Sequence, residues 1–228
     1  MIETNISEIN RRIESAAKRS NRSFNDITLI AVTKTRSLVE IDSAHELGIT
    51  DFGENKVQEL QEKIEARSNY NWHMIGSLQS NKVKYIIDKV KMIHSLDRKS
   101  LAKELDKRAK QHGIKINTLV QVNVSGEETK SGVSPEKLKS FLEYLKTKDN
   151  IKVMGLMTMA PHTDNEQVLR KVFRELKNLK EKMNEELYKS EVLVELSMGM
   201  SNDYEMAIEE GATIIRVGSS IFGEYDYN

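Results

Sequence analysis

The apolar positions of this chain change period repeatedly. Ile2, Ile6, Ile9, Ile13 and Ala17 follow a 4-3-4-4 spacing and so form one stripe on a helix ahead of the first strand. The stretch Ile27 to Arg36 has no helical period. It is almost continuously apolar or β-branched up to Thr33, which predicts a strand buried on both faces, with Lys34 at its carboxyl end. Ser37-Leu38-Val39-Glu40 then has the form of a capping box, and Ile41, Ala44 and Leu47 continue a helix expected to stop at Gly48.

The same alternation runs through the rest of the chain. Strands are predicted at Ile49 to Gly53, Tyr70 to Ile75, Lys91 to Leu96, Thr118 to Val124, Ile151 to Thr158, Val192 to Leu196 and Ala212 to Val217. Helices are predicted through Val57, Leu60 and Ile64, over Gln79 to Val90 and over Arg98 to His112. Another follows Ser134-Pro135, where serine is the N-cap and proline the first helical residue. A long amphipathic helix runs from Val168 to Leu187 behind a second capping-box pattern, Thr163 to Glu166, and a short one covers Asn202 to Glu210. Eight strand–helix alternations without a linker or low-complexity tract argue for a parallel sheet closed into a (β/α)8 TIM-type barrel with an extra N-terminal helix.

Composition narrows this further. A length of 228 residues suits a single barrel domain over 1–228, and 35 Lys plus Arg against 35 Asp plus Glu gives no excess charge to attract a nucleic acid. The absence of cysteine excludes disulfides and thiolate metal sites and fits a reducing compartment. The N-terminus carries Glu3, Glu8, Arg11 and Arg12 with no apolar leader region, and no apolar run approaches a membrane span. A soluble cytoplasmic protein with no membrane partner is expected.

In a barrel of this kind chemistry sits where strands end, and the unusual residues fall there. Lys34 ends the first strand, Asn55 follows the second, and His73 and Gly76 end the third. Met157 and Thr158 end the sixth, Ser197 to Ser201 follow the seventh, and Arg216 to Ser219 end the eighth. The last two loops pair Gly199 and Gly218, which permit close backbone approach, with the hydroxyls of Ser197, Ser201, Ser219 and Ser220. Either loop alone reads as a plain Ser/Gly turn. Two at adjacent strand ends favour a phosphate cradle. A lysine in an apolar wall facing such a cradle suggests an aldehyde held as a Schiff base, and pyridoxal 5′-phosphate is the ligand that combines both groups. Arg216 is then placed to face the pyridine nitrogen.

Other motifs carry less. AVTK at 31–34 resembles a kinase lysine motif, yet no Gly-rich loop precedes it. His45-Glu46 begins a zincin pattern that Ile49 breaks, so no metal site is expected. Gly199 to Asp203 fails as a nucleophile elbow because Asp203 stands where glycine is needed. His73 reads as a hydrogen-bonded interior histidine that could support a site, and Lys82, Lys84, Lys89 and Lys91 read as a solvated helix face.

AVTKTR at 31–36, FGENKVQE at 52–59, WHMIGSLQSNK at 72–82, VNVSGEETKSG at 123–132, GLMTMAP at 155–161, LSMGMSNDYEMAIEEGAT at 196–213 and RVGSSIFG at 216–223 together resemble the pyridoxal phosphate homeostasis protein family. The resemblance covers nearly the whole chain in order. It implies a barrel like the N-terminal domain of alanine racemase, with pyridoxal phosphate bound on Lys34 and Arg216 at the pyridine nitrogen. It further implies that Ser197, Ser201, Gly218 and Ser219 hold the phosphate, while Asn55 and Met157 line the cofactor. Position 219 is often threonine in that family, and serine keeps the hydroxyl. The function implied is a carrier that buffers the cofactor or hands it to apo-enzymes, without established turnover. A monomer is expected. The alternative is an amino-acid racemase or other one-base enzyme. Racemisation needs an acid–base group on each face of the substrate carbon, and the sequence offers only Lys34.

Overall fold

The structure, a computed structural model, describes residues 1–127 and 130–224. Tyr225 and Tyr227, to which the sequence assigns no role, lie outside the described residues. The chain opens with α1 (Ile2–Arg19) and enters a closed barrel of eight parallel strands in sequential order. The strands are β1 (Thr28–Val32), β2 (Asp51–Glu54), β3 (Asn71–Met74), β4 (Met92–Leu96), β5 (Ile116–Gln121), β6 (Ile151–Met157), β7 (Glu195–Ser197) and β8 (Ile214–Val217). β8 closes onto β1, setting Ile30 between Asp51 on one side and Arg216 on the other. Outside the sheet lie α2 (Leu38–Glu46), α3 (Val57–Ala66), α4 (Lys99–Gln111), α5 (Pro135–Leu145), α6 (Glu166–Met183), α7 (Tyr204–Glu209) and α8 (Ser219–Phe222).

Two apolar layers hold these elements. The larger lies between sheet and helices and includes Ala31, Phe52, Trp72, Phe173 and the α1 stripe Ile6, Ile9, Ile13 and Ala17. α1 packs against α7, α8 and α2, and Asn5 Nδ2 donates to the Ile221 carbonyl at 2.9 Å, so the first helix completes the outer ring beside the short last one. The smaller layer gathers Ile30, Met92, Leu119, Met157 and Ile214, one residue from each of five strands. Because side chains alternate across a strand, these are the inward residues, and they fill part of the barrel's interior.

The capping boxes come out unequally. Ser37 and Glu40 cap α2 reciprocally as expected. At α6 the cap is Asn165, whose side chain accepts from Gln167 N and Val168 N, while Thr163 accepts from Asn165 N one turn earlier. Gln79 to Val90 is not an α-helix: Ser80–Tyr85 winds as a 3-10 helix and the rest is turn. Val83, Ile86, Ile87 and Val90 are all buried, and over so short a segment periods of 3.0 and 3.6 both satisfy that spacing. β7 begins at Glu195, three residues later than the sequence suggests, and Leu193 is buried between the exposed Val192 and Val194. Among the described residues no helix is long and apolar enough to cross a membrane.

Candidate functional site

A cleft of about 490 Å³ opens at the carboxyl ends of the strands. It is lined by Val32, Lys34, Asn55, Ile75 and Arg216 and by the loops that follow β6, β7 and β8.

Lys34 is half-buried on a turn whose geometry is imposed from below. Thr33 is fully buried; its hydroxyl donates to Glu54 Oε1 at 2.5 Å, and its carbonyl accepts from Lys63 Nζ at 2.7 Å. Lys63 Nζ also contacts Glu54 Oε1 at 2.5 Å. Thr35 adopts φ 61°, a left-handed conformation unfavourable for a β-branched residue, and its N–H is taken by Glu59 Oε2 at 3.1 Å. The two clamps over-determine the turn and present Lys34 to the cleft. Burial raises the Glu54 carboxyl above its ordinary range, outweighing Lys63 and Thr33, which act to lower it. Beside this turn, Gly76 lies so close to Asn55 that a Cβ would sit 2.3 Å from the Asn55 carbonyl oxygen.

Across the cleft, Ser201 accepts weakly from Gly218 N at 3.3 Å and Ser220 N at 3.4 Å, which ties the β7 and β8 loops together. Ser201, Gly218 and Ser219 line the cleft. Gly199 has φ 95°, and a Cβ there would come 2.6 Å from Ala207 Cβ, so this glycine serves the packing of α7. α7 starts at Tyr204, two residues later than the sequence suggests, because Asp203 folds back to accept from Met200 N at 2.6 Å.

Arg216 is 5% exposed. Its Nη1 donates to Ser197 Oγ and its Nη2 to the Thr158 carbonyl at 3.0 Å. Burial pushes its guanidinium down to about 10, against the pull of the Asp203 carboxylate, so it remains a cation at neutral pH.

Of the predicted site residues, Lys34, Asn55, Ser201, Arg216, Gly218 and Ser219 come together around one cleft. Ser197 and Met157 do not line it. Ser197 is fully buried, and its hydroxyl faces Arg216 on one side and His94 Nδ1, at 2.9 Å, on the other. Met157 belongs to the apolar interior of the barrel. Sequence reasoning missed the loop after β6, where Met159, His162 and Asp164 form the outer wall of the cleft. It also missed His94, a lone imidazole in the strand MIHSL. Lys91, read as part of a solvated face, reaches Asp51 Oδ1 at 2.8 Å.

The donor set suits a phosphorylated aldehyde. It combines an amine, a buried guanidinium between the two sides, and hydroxyl and backbone donors opposite.

Comparison with known proteins places the chain in a family. Residues 4–226 match the family model described as alanine racemase, N-terminal domain. The chain is 46% identical over 224 residues to the pyridoxal phosphate homeostasis protein of Aquifex aeolicus, covering 97% of both chains. It is 36% identical to the protein of that name from Haemophilus influenzae, over the full chain and 97% of the relative. Among solved structures, PipY of Synechococcus elongatus with pyridoxal phosphate bound superposes with a TM-score of 0.83 at 30% identity, covering 98% of this chain and all of that one. An alanine racemase of Clostridium difficile shares the fold at a TM-score of 0.75 and 15% identity, and this chain spans 57% of its length. The chain belongs to the pyridoxal phosphate homeostasis protein family, built on the barrel of the alanine racemase N-terminal domain.

Proposed function

We propose that this protein binds pyridoxal 5′-phosphate in the cleft and acts as a monomeric, single-domain cytoplasmic carrier for it, releasing it to apo-enzymes without turning over a substrate. The observation that carries the reading is that a half-buried lysine, a buried arginine and a Ser/Gly double loop line one cleft. The PLP-bound structure of PipY supports the choice of ligand.

In this reading Lys34 would hold the aldehyde through its Nζ as a Schiff base, with water as the other product, and so keep it from other amines. The bound cofactor supplies an electrophilic carbon. The chain supplies everything else: Ser201 and Ser219 hydroxyls and the loop backbone receive the phosphate, and Asn55 flanks the ring. Arg216, a cation at neutral pH, would donate toward the ring nitrogen without protonating it and so leave the ring a poor electron sink.

The test is borohydride reduction of the loaded protein followed by peptide mapping. The expected adduct lies on Lys34 and disappears in Lys34→Ala. A reducible adduct that survives in that variant assigns the aldehyde to another lysine. Incubating the loaded protein with L-amino acids in deuterated water tests turnover: slow exchange at the α-carbon without inversion fits a carrier with one base. Efficient interconversion of L and D forms refutes it, and its loss in His162→Ala would identify the second base at the cleft mouth.

A further inference from the structure

A file of hydrogen bonds crosses the inside of the barrel and ends on Arg216. Asp51 Oδ1, on β2, lies 2.8 Å from His73 Nε2 on β3, and His73 Nδ1 lies 3.0 Å from His94 Nε2 on β4. His94 Nδ1 then reaches across the interior to Ser197 Oγ on β7 at 2.9 Å, and Ser197 Oγ accepts from Arg216 on β8. All five residues are buried. At the outer end Lys91 Nζ, on a half-exposed side chain, donates to the same Asp51 oxygen at 2.8 Å, with Thr50 and Asn71 donating to the other.

The direction of every bond in this file follows from its Asp51 end once both imidazoles are neutral. An ionised carboxylate only accepts and a guanidinium only donates. Burial acts to raise Asp51, but hydrogen bonds from His73, Lys91 and Thr50 prevail and hold it ionised, well below the usual carboxylate range. Burial lowers both imidazoles, His94 strongly, so each is neutral and carries one N–H. Asp51 must therefore accept from His73 Nε2–H, which leaves His73 Nδ1 bare to accept from His94 Nε2–H. His94 Nδ1 is then bare in turn and accepts the Ser197 hydroxyl proton, and the Ser197 oxygen accepts from Arg216. Any other tautomer sets two lone pairs or two protons face to face. A file of this kind is polarised along its length, each bond strengthening the next.

We propose that Asp51, His73, His94 and Ser197 are positioning residues for Arg216, a one-way hydrogen-bond file that fixes the guanidinium under the cleft and sets the field it projects onto a bound ring nitrogen. The effect on the ring rests on the pyridoxal phosphate reading above; the file itself does not. With Nη1 committed to Ser197 and Nη2 to the Thr158 carbonyl, the guanidinium keeps one orientation, and its remaining N–H groups are the ones available to a ligand.

Two measurements test this. Long-range ¹⁵N correlation spectra of the ligand-free protein at neutral pH should show His73 and His94 both neutral and both protonated at Nε2. An Nδ1–H tautomer or an imidazolium at either position overturns the file, with no ligand or variant involved. In the loaded protein, His94→Phe removes the acceptor for the Ser197 hydroxyl and should shift the visible absorption band of the cofactor and weaken its binding about tenfold. His94→Asn, which keeps an acceptor near the Nδ1 position, should bring the band back toward that of the parent protein. A folded His94→Phe variant with the parent band and affinity overturns the proposal. If the parent protein binds no pyridoxal phosphate, the proposed function falls, while the tautomers still decide the file.

Discussion

Removing the charge of Glu54 should destabilise this barrel far more than removing Glu54 and Lys63 together. Glu54 is fully buried and Lys63 is 8% exposed, and they meet at 2.5 Å beneath the turn that carries Lys34. Glu54→Gln leaves the Lys63 ammonium under the sheet with the Thr33 carbonyl and, 3.9 Å away, the more exposed Glu59. Stranding one partner of a buried pair costs about 3–5 kcal/mol, and Glu59 places the expected loss toward the lower end. For a chain of this size 1 kcal/mol moves the melting temperature by about 2–4 °C, so a loss near 3 kcal/mol should lower the melting temperature of the single variant by roughly 6–12 °C. The double variant Glu54→Gln/Lys63→Met removes both charges and should return to within about 1 kcal/mol of the parent, since buried pairs replaced as a unit are close to neutral.

The titration of Glu54 opposes part of this loss and supports the near-neutral outcome of the double variant. Its folded pKa is raised, so the folded state holds the proton more tightly. The resulting penalty is absent below the unfolded value of about 4.3 and complete above the folded one, which leaves the carboxylate a net cost at neutral pH. Calorimetry and urea unfolding of the three variants measure the cycle. A Glu54→Gln variant within about 1 kcal/mol of the parent refutes the reasoning, because the Lys63 charge would then have water within reach. The double variant should also load pyridoxal phosphate more slowly, since the Thr33 carbonyl loses the ammonium that holds the Lys34 turn.

Three further outcomes are expected. Because burial lowers His73 and His94, the unfolded chain takes up protons first on acidification. Stability should therefore be full above about pH 6.5 and fall below it by up to about 1.4 kcal/mol per pH unit for each histidine until its folded value is reached, so a urea midpoint that stays flat down to about pH 5.5 contradicts the neutral pair. Gly76→Ala drives a methyl into the Asn55 backbone and should cost about 1–3 kcal/mol in thermal unfolding while weakening cofactor binding; unchanged affinity on titration removes Asn55 from the site. Met157→Ala should cost about 2–5 kcal/mol and Met157→Leu less than about 1.5 kcal/mol with no change in the cofactor spectrum, whereas a shifted band in the leucine variant would return the thioether to the cleft.

Most of the barrel was legible because parallel strands buried on both faces leave a strong signature, and Ile27 to Thr33 is such a run. The α1 stripe, the Ser37 box and the Pro135 helix start were readable for the same local reason. Lys34, Ser201, Arg216, Gly218 and Ser219 could be found because strand ends face one mouth. Side-chain direction is what the string does not show. Ser197 and Ser201 look alike in the string SMGMS, yet one ends a strand and points inward while the other stands on the loop. The file through His94 was illegible because its partners lie 21 and 103 residues away, and only closure of the barrel makes them neighbours.

The placement of α1 also sets an order of events during synthesis. Its polar face pairs Arg12 with Glu205, 193 residues further on, and its apolar stripe packs on α7 and α8. At about 5–20 residues per second, a ribosome needs roughly 10–40 s to deliver those partners after Arg12 has been made. For that time Ile6, Ile9 and Ile13 have only early elements to cover them, which exposes a sticky nascent surface to chaperones and to other chains. Ring closure is thus a late event, and weakening this face should lower the yield of closed barrels more than it disturbs the collapse that precedes closure.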